Sequence, residues 1–529
     1  MCIMKLLQHV RVESARLAAW LIALLALLAA PSMSRAQDTP TASAPDAPAV
    51  AAAPVDHNAG VWSTLEDEWM IMEIGGSRVG WVNTLVEQAD DRFRTTTATH
   101  LEITRGDAKV LVKMTTTFIE SAAGAALWLS SRQQMGQQPI ETIWEFRDKT
   151  IKQTLKQGGR STPSGFKAPT EPWLPPRAAS RYTREQRAAG AKSITYKTLD
   201  PQTGQKLITV TSTHSGEAQH EVDGKTIAVS VWKGATDVMP IESIEYVDAE
   251  GDVLYQEVPA GFGKIVMRRA SRADALEQLE EGMGLDVMTR TFAKPDKPIE
   301  NSMKATTAKL KLTAREGTLP DLPSAASQRV QMSDDRKSAV LTVDINSPLP
   351  AASDDASNAE YTEPSTMLDY KDELVQKLAA PARDEPDAMA RALKLRDIAH
   401  KRISKKGMST AFANASETAK TRTGDCSEHG VLLAAMLRAQ GIPSRVGMGL
   451  VYVDAFMGEE GIFGWHMWTQ ALIDGKWIDL DATLPVRYNA AHVLTTTSSL
   501  ADGIGVGDMA SVIQLLGNID IEVIEVGYE

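Results

Sequence analysis

Three residues of the types needed for nucleophilic chemistry, a thiol, an imidazole and a carboxylate, follow one another in the last quarter of the chain: Cys426, His466 and Asp481. Together they are the parts of a nucleophile, its base and the group that orients the base. Cys426 lies in Thr423-Gly424-Asp425-Cys426-Ser427-Glu428-His429-Gly430. The chain holds 2 cysteines, and the other, Cys2, falls in a segment that reads as a removable export signal, so a disulfide is not the purpose of Cys426. Asp425 at N-cap and Glu428 three residues on form an Asp version of the capping box. They predict a helix from Cys426 to Gln440, stopped by Gly441 with Pro443 beyond it. A thiol at the first helical position meets free backbone N–H groups and the positive end of the macrodipole. That environment is expected to lower its pKa from the free value of ~8.5. Gly430, one turn on, is expected to leave room beside the sulfur, and Leu432, Leu433, Met436 and Leu437 to root the helix in a core.

A capped-helix cysteine is by itself also an ordinary buried small residue. The segment downstream decides between the two readings. Asp474-Gly475, between Thr469–Ile473 and Lys476–Leu480, is a type I′ hairpin signal. A two-residue turn there pairs Ile473 with Lys476 and sets Trp468 opposite Asp481. His466 then lies on the same face, diagonal to Asp481 and ~7–8 Å away at the backbone, within reach for the two side chains. The opposite face, from Met467 through Ile473 to Ala482, is mostly apolar. The carboxylate can therefore hold one ring nitrogen while the other meets the thiol. Asp479 shares the face and competes as orienter, but pairs with Gln470, one step further from His466. His429 makes a Cys-x-x-His with Cys426, yet zinc sites show two closely spaced ligand pairs, so a place behind the reacting residues or at the surface is preferred and no metal is expected. Trp465 and Trp468 flank the base as core packing, and Arg445 reads as a structural charge partner.

Gly424-Asp425-Cys426, then Leu437 to Arg445 (Leu-Arg-Ala-Gln-Gly-Ile-Pro-Ser-Arg), His466-Met467-Trp468, and Trp477 to Thr483 (Trp-Ile-Asp-Leu-Asp-Ala-Thr) resemble the transglutaminase-like superfamily. The resemblance runs from roughly Leu368 to the C-terminus. It implies a papain-like fold with Cys426 as nucleophile, His466 as base and Asp481 as orienting acid, and it calls for no cofactor. Gln470 stands where an acidic residue is common and Ala482 where proline is common, both beside the three residues rather than among them. The superfamily includes peptide-cleaving, amine-transferring and inactive members, so the resemblance does not choose the reaction.

The rest of the chain bounds the setting. Lys5, Arg11 and Arg16 precede an apolar run from Leu17 to Ala30, and Ser34-Arg35-Ala36 offers small residues for cleavage after Ala36. That run is shorter than the ~20 residues a spanning helix needs. The expectation is an exported protein, periplasmic or extracellular, with no membrane segment after cleavage. The formal net charge of −12 becomes −15 without residues 1–36, which argues against nucleic acid as a partner.

Residues 37–60 read as a disordered Ala/Pro-rich tether. From 61 to 293, β-branched runs are punctuated by Gly75-Gly76, Gly106-Asp107, Asp223-Gly224 and Asp248–Asp252, a large antiparallel sheet. Residues 294–360 read as a small β-rich segment, with Lys309–Thr313 and Ala339–Ile345 as strands, ending in a linker over 347–360. Ala388, Ala392, Leu395, Ala399 and Ile403 then form a helical stripe opening a domain over 361–529. The fold class is α+β. The expected function is thiol-based acyl transfer on amide bonds of peptides or proteins, hydrolysis favoured over amine transfer. The competing reading is a non-catalytic envelope binding or scaffold protein whose C-terminal domain is a relic.

Overall fold

The computed structural model describes residues 60–528 apart from 106–107, 135–138, 158, 203, 223, 261–262, 278–288, 407–412 and 503–509. The export signal and all but the last residue of the tether lie outside the described residues. Among those described, no helix is long and apolar enough to cross a membrane.

The β-branched runs of the first half pair into one antiparallel sheet of 14 strands. Gly75 and Gly76 take positive φ and close the hairpin between Ser63–Ile74 and Ser77–Ala89. The strands flanking the expected Gly106-Asp107 and Asp223-Gly224 turns also pair as hairpins. Ser63–Ile74 lies at the centre and pairs on its other side with Ile265–Ala270. Successive hairpins run outward from it to one edge at Arg160–Lys167, and the chain returns from the other edge, Ser193–Leu199. The helix Pro176–Ala188 joins those two edges. Its first N–H groups, on Arg177 and Ala178, donate to the buried Glu120 carboxylate at 3.1 and 3.0 Å, so a strand side chain caps it. Burial pushes the Glu120 carboxyl up to about 7 in spite of those bonds.

Two four-stranded sheets follow. In one the order is Gln328–Met332, Ser338–Asp344, Ala305–Ala314, Ile519–Tyr528. In the other it is Lys476–Leu480, Glu459–Ile473, Ser444–Phe456, His492–Ser498. The helix Cys426–Ala439 packs on the second sheet and is surrounded by Glu373–Ala379, Ala388–Arg402 and Ala415–Thr421. Every residue from Cys426 to Arg438 is buried, so the helix is a core element on all sides rather than an amphipathic one.

The boundary read at residue 360 does not separate two units. Ala305–Ala314 pairs along its length with the last strand, Leu312 opposite Ile521 and Thr313 opposite Asp520. Leu310, Leu312 and Leu341 share one continuous core with Leu433, Met436, Ile521 and Val523. The stretch expected as a linker is also fastened down: Ala351 N–H donates to Gly475 O at 2.8 Å, and Trp477 Nε1 donates to Asp355 Oδ2 at 2.7 Å. A fragment of residues 361–529 therefore leaves Ile519–Tyr528 without its neighbour and exposes an apolar face. The full mature chain is expected to stay monodisperse in size-exclusion chromatography, whereas 361–529 aggregates. A well-folded 361–529 would contradict this dependence.

Candidate active site

Local chemistry builds each part of the site. Asp425 Oδ1 accepts from Ser427 N at 3.2 Å and Glu428 Oε2 accepts from Asp425 N at 3.0 Å, the reciprocal cap read from the sequence, with Cys426 as the first helical residue. The hairpin has the expected register, with Gln470 opposite Asp479 and Ile473 opposite Lys476. Asp474 and Gly475 both take positive φ, as a type I′ turn demands. Thr469 Oγ1 donates to Gly430 O at 3.0 Å and ties the helix to the strand. A Cβ on Gly430 would stand 3.4 Å from Met467 Cγ, so the space that this glycine leaves is taken by the strand, not by the sulfur.

His466 Nε2 and Asp481 Oδ2 lie 2.7 Å apart, both side chains fully buried. His466 Nδ1 has no hydrogen-bond partner among the described residues, and the Cys426 thiol is near enough to the ring to raise its pKa. The thiol is 3% exposed and in no disulfide. Burial works against charge on His466, but Asp481 and then Cys426 beside it more than offset this and hold the imidazole well above its ordinary value. Burial likewise opposes the Asp481 charge, and His466 and His492 overcome it, holding the carboxyl well below the usual range.

The carboxylate is fixed from both ends. Its Oδ1 accepts from Thr483 N at 2.7 Å and Leu484 N at 3.2 Å. Arg396, itself buried, donates to the backbone carbonyls of Asp481 at 2.5 Å, of Leu484, and of Val486 at 2.7 Å. Arg396 sits inside the helix Ala388–Arg402, beside the apolar stripe that the sequence showed, and the stripe gave no sign of it.

His492 is the site residue that motif reasoning missed. Its Nε2 lies 3.3 Å from Asp481 Oδ2 and its Nδ1 2.9 Å from Asn489 O. The carbonyl fixes a proton on Nδ1, so Nε2 bonds to the carboxylate only when the ring is charged. Burial lowers its pKa from the ordinary value, against the pull of Asp481. The 2.7 Å bond to His466 is therefore the strong one near neutrality.

Asp479 is engaged elsewhere. Its Oδ1 accepts from Trp468 Nε1 at 2.8 Å and Gln470 Nε2 at 2.7 Å, and its Oδ2 from Ser327 Oγ at 2.7 Å. Gln470 also accepts from Arg445 Nε at 2.8 Å, so the amide bridges a cation and an anion where a second carboxylate would repel Asp479. Trp468 stacks on His466 at 6.2 Å, and Gly447 leaves it room: a Cβ there would come within 2.8 Å of the indole. Trp465 donates to Thr291 O at 3.2 Å. Ala482 O meets His400 Nδ1 at 2.9 Å. His429 turns Nδ1 to Asp425 O at 2.5 Å, within its own helix. His466, Asp481 and His492 do bring three ligand-type atoms within 4.8 Å of one another, two of them already joined by the short hydrogen bond.

Residues 372–482 match the family model for the transglutaminase-like superfamily. The C-terminal part of the chain carries a transglutaminase-like domain. No curated protein shows significant similarity to the chain. Among solved structures, an inferred cysteine protease from Cytophaga hutchinsonii is 16% identical over 42% of this chain and 89% of its own, with a TM-score of 0.28. A beta-barrel-like protein of unknown function from Brucella abortus is 11% identical over 39% of this chain and 94% of its own, at 0.29. The periplasmic domain of TgpA from Pseudomonas aeruginosa, bound to ethylmercury, is 15% identical over 36% and 88%, at 0.24. These overlays are too loose to carry an argument about this site.

The two carboxylates of the transglutaminase-like domain are expected to separate by mutation. In a sample with labelled histidine, the proton between His466 Nε2 and Asp481 should give a far-downfield NMR resonance. Asp481→Asn abolishes it and lowers any thiol-dependent rate by about two to four decades. Asp479→Asn retains the resonance but costs about 1–3 kcal/mol in thermal or urea melting, because an amide N–H then faces existing donors. Equal effects of the two would contradict the assignment. His492→Phe should keep the resonance while shifting it, and loss of the resonance in that variant would mean that His492, not His466, holds the proton.

Proposed function

We propose that the protein is an exported cysteine hydrolase that cleaves amide bonds of peptides or proteins. The observation that carries this reading is His466 held between the Asp481 carboxylate and the Cys426 thiol, with the thiol at the N-terminus of a capped, buried helix. In this reading Cys426, His466 and Asp481 are a catalytic triad. Cys426 Sγ attacks the carbonyl carbon, and the C–N bond breaks as His466 gives the leaving amine the proton it took from the thiol. The backbone N–H of Cys426 faces the developing oxyanion. Water then attacks the thioester, its proton returning through His466, and releases the acid and the free thiol. Asp481 holds the imidazole in one tautomer and supports the imidazolium.

Hydrolysis is favoured over transfer to a second amine because water requires no further binding site. Export is supported by the basic, apolar and small-residue order of residues 1–36. Intact mass of protein recovered from the cell envelope or medium should begin at Gln37, and recovery of the full-length chain from membranes would replace cleavage with an anchor.

A peptide library incubated with the full mature chain and a labelled primary amine, read by mass spectrometry, tests the reaction. New peptide termini that vanish in Cys426→Ala are expected. Amine adducts on glutamine would make the protein a transferase, and neither product would favour a binding or scaffold role.

A further inference from the structure

A cavity of the molecule lies far in sequence from the thiol. The helix Pro176–Ala188 and the strands of the large sheet enclose a cavity of about 200 Å³. One wall comes from Thr97, Thr99, Met114 and Thr116 on two neighbouring strands, the opposite wall from the strands around Val210, and the helix contributes Ala179. No residue of the lining comes from beyond position 256, so the cavity is separate from the site of Cys426.

Four polar atoms on this lining are buried with no hydrogen-bond partner: Ser212 Oγ, Thr236 Oγ1, Gln202 Oε1 and Arg187 Nε. Ser212 and Gln202 are each only 7% exposed. Val210 pairs with Thr236 and Ser212 with Gly234, so the two hydroxyls share one face of adjacent strands, and Ser212 stands opposite a residue with no side chain. A buried hydroxyl or amide oxygen left without a partner costs about 1–3 kcal/mol, and a fold retains such groups where something else meets them. The charges around the cavity balance, Arg184 and Arg187 against Asp200 and Glu245. Arg187 Nη2 donates to Glu245 at 2.6 Å, and Asp200 accepts from Gln202 N at 2.7 Å. The lining therefore carries no net formal charge, which favours an uncharged ligand. Apolar side chains of Met114, Leu199, Ile208, Val210 and Val253 line the cavity beside the threonines of the first wall.

We infer that this cavity is a binding site for a small uncharged amphiphile, an apolar body carrying a hydroxyl or amide that meets Ser212, Thr236 and Gln202. It is independent of the proposed amide hydrolysis. The apolar body fills the space beneath the helix, and its donor group reaches the Gln202 amide oxygen and the two hydroxyls.

N-phenyl-1-naphthylamine, uncharged, apolar and bearing one N–H, is a fluorescent probe of this chemistry. Titrated into the full mature chain, it should bind saturably at one probe per chain and be displaced by 1-decanol but not by decane. Thr236→Val, which keeps the shape and removes the hydroxyl, should weaken binding about fivefold. Val210→Trp and Ala179→Phe fill the cavity from a strand and from the helix, and each should weaken it at least about tenfold. Thermal melting shows which of the two filled variants remains folded, and either suffices. Absence of saturable binding would mean that ordered water alone meets these polar atoms. Undiminished binding in a folded filled variant would place the probe elsewhere, and equal displacement by decane or no effect of Thr236→Val would remove the polar half. Any of these overturns the inference.

Discussion

A fully buried carboxylate is the constraint on which the C-terminal half depends. Removing the Asp481 charge from water costs several kcal/mol unless it is paired and hydrogen-bonded. The fold meets that cost with His466 on one oxygen, two backbone N–H groups on the other, and His492 alongside. Each partner imposes a demand of its own. His466 fixes the hairpin register, the N–H groups fix the turn after Asp481, and Arg396 fixes that turn's carbonyls. The imidazole so held has one nitrogen left, and the proposed reaction assigns it to the thiol.

Asp479, two residues away on the same strand face, shows how environment divides two like groups. It is bound by an indole, an amide and a serine, all neutral donors, and serves the packing of Trp468 against His466. Asp481 is bound by the His466 imidazole, with His492 beside it. Spacing alone left both as candidates, and the register separates them. Substituting Gln470 for an acid fits this division, since the amide can donate to Asp479 and accept from Arg445 at once.

Much of the site was legible because its determinants are local. The cap Asp425–Glu428 spans four residues, and the Asp474-Gly475 turn fixes its own pairing. The hairpins of the large sheet were legible for the same reason. What was hidden is non-local. His492 arrives from a strand on the far side of Ser444–Phe456 and carries no turn or spacing signature. Arg396 lies beside the apolar helix stripe where its type argues for exposure, and besides its neighbour Asp397 its partners are carbonyls some 85 to 90 residues later. The pairing of Ala305–Ala314 with the last strand, and of Ser63–Ile74 with Ile265–Ala270, joins segments about 200 residues apart with no turn between them. Those closures moved the domain boundary and enclosed the cavity under the helix Pro176–Ala188.

The central claim is that Cys426 is an activated thiol rather than a buried structural one. Its rate of alkylation by iodoacetamide, followed across pH in the native chain, in denaturant and in His466→Ala, measures this directly. The native thiol is expected to react fully at a pH well below the ~8.5 of a free cysteine. The denatured chain should return to the free value, and His466→Ala should move the native profile upward, since the imidazolium beside the anion is gone. A native profile that coincides with the denatured one would contradict the account.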